Sequence, residues 1–301
     1  MFDKSAEFEG NIPMKKRTPN HLNFSKSSLL PKVGSTALGV FAFLIASVQS
    51  QAASQIIYSD NFSDGNRDGW YNSNASGGLV VDNGQLKSIN TTSRFLTYFS
   101  PTSLEVGESM TVSFDLEMAS VGDSNYGFRI GILDSEGLSN QVSADDYGDT
   151  NALFNNYSGY RLNTNLGADT SNITTFAGRT GVSDDLLGST SMTSVSGSGT
   201  ANGVKIEAET SYPTSFTFLR TDTDTLSLSF SMNGIVLSTQ DSPANTFTFD
   251  TLAFYRKQDA GGDIFLDNVE VSYDGIPEPG QASMIFGAIA AAVIMIRRRR
   301  R

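Results

Sequence analysis

Leu226-Ser227-Leu228-Ser229-Phe230-Ser231-Met232-Asn233-Gly234-Ile235-Val236-Leu237 decides the fold. Large apolar side chains alternate with serine over the first seven residues. A strand points successive side chains to opposite faces, so this pattern buries one face and leaves the other in water. Asn233-Gly234 follows at once, and both residue types accept the positive φ that a type I′ turn requires. A second apolar run then begins. The stretch predicts an antiparallel hairpin with one wet face.

The same period recurs outward from the hairpin. Val112, Phe114, Leu116 and Met118 alternate with Thr111, Ser113, Asp115 and Glu117. Further strands are predicted over residues 85–89, 94–99, 126–133, 158–163, 204–209, 215–220, 246–256 and 263–273. Turns rich in Gly, Asn, Asp and Ser separate them. No part of this region has a helical period, and there is no internal repeat. Ten to twelve strands in about 222 residues predict one all-β domain, a two-sheet antiparallel β-sandwich. Residues 188–203, rich in Ser, Thr and Gly, are expected to form a mobile loop.

Composition narrows the chemistry. The chain has no cysteine, which excludes disulfides, thiolate metal sites and cysteine nucleophiles. Its only histidine is His21, ahead of the sandwich region. Imidazole acid–base chemistry and Ser-His-Asp triads are therefore excluded within residues 53–274. That region holds 10 basic and 28 acidic residues, a net charge of about −18. Such a surface repels phosphate backbones, so no nucleic-acid partner is expected.

Both termini point to export. Lys15-Lys16-Arg17, Lys26 and Lys32 precede an apolar stretch at 38–48, and small residues around Ala52 suit signal-peptidase cleavage. Residues 1–52 are read as a signal peptide. Asp3, Glu7 and Glu9 do not suit that role, so Met14 is the expected start. At the other end stand Pro277-Glu278-Pro279, an uncharged apolar run at 282–296, and the arginines 297–301. The prolines hold an extended segment. The apolar run can enter a bilayer as a short hydrophobic helix, and the arginines stop it. As a helix it would span about 22 Å, against a hydrocarbon core of roughly 30 Å. A processed signal is favoured over a permanent anchor on that ground.

The order Pro-Glu-Pro, apolar run, basic cluster over residues 275–301 resembles the PEP-CTERM sorting signal of bacterial exported proteins. The resemblance implies recognition by an exosortase-type membrane transpeptidase and cleavage near Pro277, Glu278 and Pro279. It further implies transient membrane insertion of the tail and delivery to the cell surface or an exopolysaccharide matrix. The opening Asp60-Asn61-Phe62-Ser63-Asp64-Gly65 through Trp70, and the closing Ile264-Phe265-Leu266-Asp267-Asn268-Val269-Glu270-Val271, resemble concanavalin A-like and laminin-G-like jelly rolls.

Three site expectations follow. Asp64-Gly65-Asn66-Arg67-Asp68-Gly69 fits the first half of a calcium loop, but Ala75 at the twelfth position rejects an EF-hand. If the first and last strands pair, Asp60 or Asp64 approaches Asp267, and carbohydrate modules that look like this use such a terminal aspartate on structural calcium. The candidate metal ligands are Asp60, Asp64, Asn66, Asp68 and Asp267; the alternative is a polar turn. Trp70 with Tyr71, and Tyr147, Tyr157 and Tyr160 in a Gly/Asn/Asp-rich stretch, are candidate sugar-stacking aromatics. For Trp70 a core position is the favoured alternative. Asp115 and Glu117 project to one side of a strand, as glycoside hydrolysis needs, but glucanase-type E-x-D-x-x-E and E-x-D-x-E patterns are absent. The expected protein is therefore an exported surface or matrix component with a non-catalytic, glycan-binding sandwich. A structural matrix protein without a ligand and a polysaccharide-cleaving enzyme are the alternatives.

Overall fold

The computed structural model describes residues 54–74, 78–89, 93–121, 127–165, 171–204, 206–256, 262–276 and 298. The signal peptide, the Pro277-Glu278-Pro279 motif and the apolar run at 282–296 lie outside the described residues. Within them the chain forms strands β1 (Gln55–Asp60), β2 (Trp70–Asn72), β3 (Leu79–Asp82), β4 (Gln85–Ser88), β5 (Ser93–Ser103), β6 (Ser109–Met118), β7 (Gly127–Asp134) and β8 (Ser158–Asn165). Strands β9 (Ser171–Arg179), β10 (Met192–Ser194), β11 (Ala201–Val204), β12 (Tyr212–Arg220), β13 (Leu226–Met232), β14 (Ile235–Asp241), β15 (Thr248–Arg256) and β16 (Ile264–Asp274) follow. Two short 3-10 turns, Leu138–Asn140 and Ala152–Asn156, complete the regular structure. No helix among the described residues is long and apolar enough to cross a membrane.

The strands build two eight-stranded antiparallel sheets. The first runs β14-β13-β12-β6-β16-β4-β3, with β1 also on β16. The second runs β10-β9-β8-β7-β15-β5-β2, with β11 also on β9. This is the all-β, two-sheet antiparallel sandwich that the alternation predicts. The hairpin at its origin is confirmed in detail: β13 pairs β14, and Asn233 and Gly234 take φ of 49° and 77°. The first and last strands do pair, β1 against β16.

Strands β1, β2, β3, β9, β10 and all but the last residue of β11 escaped prediction. Strand β3 is joined to β4 by Asn83-Gly84, with φ of 52° and 80°, the same turn signal as the central hairpin. Strand β2 is only three residues long, and β9 is interrupted by small residues, so neither shows a period. The expectation of a loop over 188–203 is corrected: it contains β10, and β11 begins within it, both paired to β9. Pairing to a neighbouring strand supplies the order that Ser/Thr/Gly composition conceals. The strand expected at 204–209 ends instead at Val204.

The main core lies between the sheets. Strand β6 alternates buried and half-buried along its length, and its buried set is Met110, Val112, Phe114, Leu116 and Met118. Phe254 of β15 is the aromatic hub. It stacks on Phe95 at 5.1 Å, Phe128 at 5.8 Å and Trp70 at 6.2 Å, and meets Phe114 of the other sheet edge-on at 5.3 Å.

A second core covers the outer face of the β15 sheet. Leu96, Leu133 and Ala253 rise from strands to meet Val142, Phe154, Tyr157, Leu186 and Leu187 from the loops. Arginines on that face hold the loops by their backbone. Arg179 donates to the carbonyls of Asp185, Leu186 and Phe154 at 3.0, 2.9 and 2.8 Å. Arg161 and Arg129 both donate to the Leu187 carbonyl, at 2.8 and 2.7 Å. Arg94 grips the Asp185 carboxylate with two bonds of 3.1 Å. A side chain at Gly131 would collide with Leu187, so the glycine seats this loop.

Phe254→Ala should cost about 3–5 kcal/mol, because it empties the centre of the aromatic layer. Trp70 is the chain's only tryptophan and is 1% exposed, so its emission reports the transition. The expected result is a lower urea midpoint by Trp70 fluorescence, with an unchanged slope.

Candidate functional site

The segment from Asp60 to Trp70 is a chain of turns that satisfies itself. The Asp60 carboxylate accepts the Phe62 N–H at 2.9 Å and the Trp70 indole N–H at 3.1 Å. Asp64 accepts the Asn66 N–H at 2.9 Å, an Asx-turn bond. Gly65 and Gly69 take φ of 78° and 79°, which suits glycine. Burial pushes the Asp60 carboxyl up; its two hydrogen bonds oppose this, while the charges of Asp64 and Asp68 add to it.

This arrangement does not gather the five expected calcium ligands at one point. The register of β1 on β16 sets Asp60 opposite Val269. A shallow recess of about 490 Å³ there is lined by Asp60, Asp64, Asn268 and Glu270, without Asp267. Asp267 sits instead opposite Asp115, beside a bulge where Asn268 takes a φ of 49°. Asp267 accepts the Asn268 N–H at 2.7 Å, and the Asn268 amide donates to Asp115 at 2.9 Å. Among the described residues no three His, Cys, Asp or Glu side chains are placed to hold a metal ion. The set Asp60, Asp64, Asn66, Asp68 and Asp267 therefore does not fit one ion. Asp115 and Glu117 share the outer face of β6 with Asp267 as neighbour, and neither lines that recess.

Three of the candidate aromatics are buried, Trp70 among them in the core position favoured for it. Trp70 packs on Phe62, Phe95 and Phe254 and has no free ring face. Tyr160 is fully buried and donates to Asp241 at 2.8 Å. Tyr157 is 3% exposed, donates to the Asn140 carbonyl at 2.9 Å and meets Phe154 edge-on. Tyr147 donates to the Arg94 carbonyl at 3.0 Å, also packed edge-on against Phe154. Their stretch reads as an open loop in sequence, but it folds onto the β15 sheet and makes its own core. Burial holds Tyr147 and Tyr157 well above the usual tyrosine pKa.

Tyr71 is the exception. It is half-buried and lies against Tyr98 at 6.1 Å, at the wall of a recess of about 570 Å³. The recess opens between β2 and β3, the terminal strands of the two sheets. Asn66, Asp68 and Trp70 also border it, so four of the residues singled out in sequence meet here. Sequence reasoning missed the other essential members. Val80 of β3, 41% exposed, supplies an apolar wall. Arg67 and Asp145 form a two-pronged ion pair, with Nη1 on Oδ1 at 3.2 Å, and Arg67 also donates to the Trp70 carbonyl at 2.7 Å. Burial would raise the Asp145 carboxyl, but the bonds from Arg67 and the Asn72 N–H outweigh it and leave the pKa lowered. The pair joins residues 78 positions apart, which no local motif announces.

No family model and no curated protein sequence matches the chain. Among solved structures it is similar to the carbohydrate recognition domain of Emp47p, at 13% identity and a TM-score of 0.46, covering 76% of this chain and 100% of that one. It is similar to an endo-1,3-beta-glucanase from Streptomyces sioyaensis, at 13% identity and 0.46, covering 74% and 97%. It is also similar to peanut lectin, at 14% identity and 0.42, covering 74% and 98%. These are concanavalin A-like β-sandwiches.

Since the acidic side chains do not converge, the melting temperature of the chain should be the same in EDTA and in added calcium. A calcium-dependent rise that Asp267→Ala abolishes would show an ion site after all.

Proposed function

We propose that this chain is an exported, non-catalytic β-sandwich that binds glycan in the recess between β2 and β3. The observation that carries the reading is Tyr71. It is half-buried and borders the recess, whereas Tyr157 and Tyr160 are buried, and it stands beside the Arg67–Asp145 pair. A guanidinium and a carboxylate held side by side offer donors and acceptors to sugar hydroxyls, while Tyr71 and Val80 offer apolar surface. A region without histidine or cysteine, with Asp115 and Glu117 on an open strand face, supports binding over catalysis. The tail supports export: the last strand, β16, ends at Asp274, and Pro277-Glu278-Pro279 with the apolar and basic segments that resemble a sorting signal follow in the sequence. An exosortase-type enzyme is the proposed partner, with the surface or exopolysaccharide matrix as destination.

A panel of immobilised glycans tests the binding. The purified chain should bind saturably to at least one, and Tyr71→Ala should weaken that binding tenfold or more without shifting Trp70 emission. Absence of saturable binding would favour a structural matrix component; release of reducing ends would favour an enzyme.

Sorting has its own test in the source cell. Replacing Pro277, Glu278 and Pro279 together by alanine should leave the chain in the membrane fraction, where the wild type is released or surface-displayed. Equal distribution of the two would sink the sorting assignment.

A further inference from the structure

Another recess, about 440 Å³, lies at the opposite edge of the sandwich, between β9 and β10 and the connection from β14 to β15. Of the sequence candidates only Tyr160 reaches it, through its hydroxyl bond to Asp241 rather than its ring. Its central feature is an oriented carboxylate. The Asn245 N–H donates to the Tyr160 hydroxyl at 2.7 Å, so that hydroxyl points its own hydrogen at Asp241 Oδ2, at 2.8 Å. Tyr160 is buried and cannot turn away. The Asn245 amide is tied to the carbonyls of Gly159 and Arg179, which locks the connection in place. Asp241 is half-buried, and its Oδ1 has no partner among the described residues. A carboxylate held in one orientation at the wall of an open recess can accept a hydrogen bond from a ligand hydroxyl in exchange for water.

Gly178 keeps the approach open. It sits within β9, where glycine weakens a strand. Its φ is not positive, and a Cβ there would meet Tyr160, Asn245 and Asp241 only at 3.7, 3.8 and 4.0 Å, ordinary contact distances. Neither backbone nor packing requires glycine, so what it preserves is space beside Asp241.

The lining selects the ligand. Thr180, Thr193 and Ser196 put hydroxyl-bearing residues on the rim, and Pro243 and Ala244 add apolar surface. No lysine or arginine lines the recess, and Asp241 repels anions. A single carboxylate is too few for a divalent cation. A neutral, polyhydroxylated molecule with apolar ring faces fits all three features. We propose that this recess is a second saccharide site, and that the domain is bivalent. The terminal strands β3 and β14 are six strand spacings apart, so the two recesses are separated by about 30 Å of sheet. Two sites at opposite edges would let one chain bridge two glycan strands. The ligand class rests on the glycan-binding reading above; the site itself rests on its own residues.

Isothermal titration of the full chain with soluble neutral gluco-, manno-, galacto- and xylo-oligosaccharides tests it. The expected stoichiometry is two per chain. Gly178→Val narrows the recess beside Asp241, and Asp241→Asn removes the acceptor charge while keeping the shape. Each should reduce the stoichiometry to one and leave the site lost in Tyr71→Ala intact. A single site that Tyr71→Ala abolishes and both edge variants spare would overturn this inference and leave the first reading standing. A single site abolished by Gly178→Val or Asp241→Asn but spared by Tyr71→Ala would do the reverse. No binding by the wild type to any probe counts against both.

Discussion

The stacking of two sheets on the aromatic layer around Phe254 is the constraint on which the rest depends. Without cysteine the domain has no covalent brace, so stability must come from burial. The inner faces of the two sheets are apolar and cover each other. Phe254 draws Phe95, Phe128 and Trp70 from around it to Phe114 across the gap, which ties both sheets to one centre. The turn from Asp60 to Trp70 is anchored to this layer through the indole, because Asp60 accepts its N–H. The residues that looked like a cation loop thus serve to deliver Trp70 to the core.

The outer face of the β15 sheet depends on a different device. Arg94, Arg129, Arg161 and Arg179 would be costly to bury without partners. They reach the carbonyls and carboxylate of the segment around Asp185 to Leu187, and so convert loop backbone into a lining for the sheet. Burial lowers the Arg161 pKa to about 10, which still leaves it charged at neutral pH. Arg94 and Arg129 also lie over the Tyr255 ring at 4.7 and 4.8 Å, which adds cation–π attraction. The consequence for function is geometric. The face is roofed by Leu186, Leu187, Phe154 and Tyr157, and the two recesses proposed as saccharide sites fall at the sandwich edges.

Legibility in the sequence tracked how local each signal was. Asn233-Gly234 between two alternating runs announced its hairpin, and the alternation at 226–232 matched the strand from end to end. Asn83-Gly84 carries the same turn signal, but β3 before it is four residues long and too short to show a period of its own. Strands β9 and β10 gave no local signal, since small and hydroxyl residues there are ordered by neighbours rather than by their own period. At the recess, Tyr71, Asn66 and Asp68 could be named from sequence, whereas Asp145 could not. Its role exists only because the loop after the first 3-10 turn returns to β2, where the Asp146 and Gly148 N–H groups bond to Asn72 and Ser73.

The sequence by itself determined the all-β class, the one-face alternation, the central hairpin, and the exclusion of thiol and imidazole chemistry. Each follows from residue identity and spacing along the chain, through the two-residue period of a strand and the φ demands of its turns. The tertiary structure alone decided which polar and aromatic residues face solvent. Trp70, Tyr157 and Tyr160 are interior because other strands and loops cover them, and Asp267 parts from Asp60 because of a register and a bulge. Burial and register are set by partners distant in sequence, and a side chain carries no local mark of them.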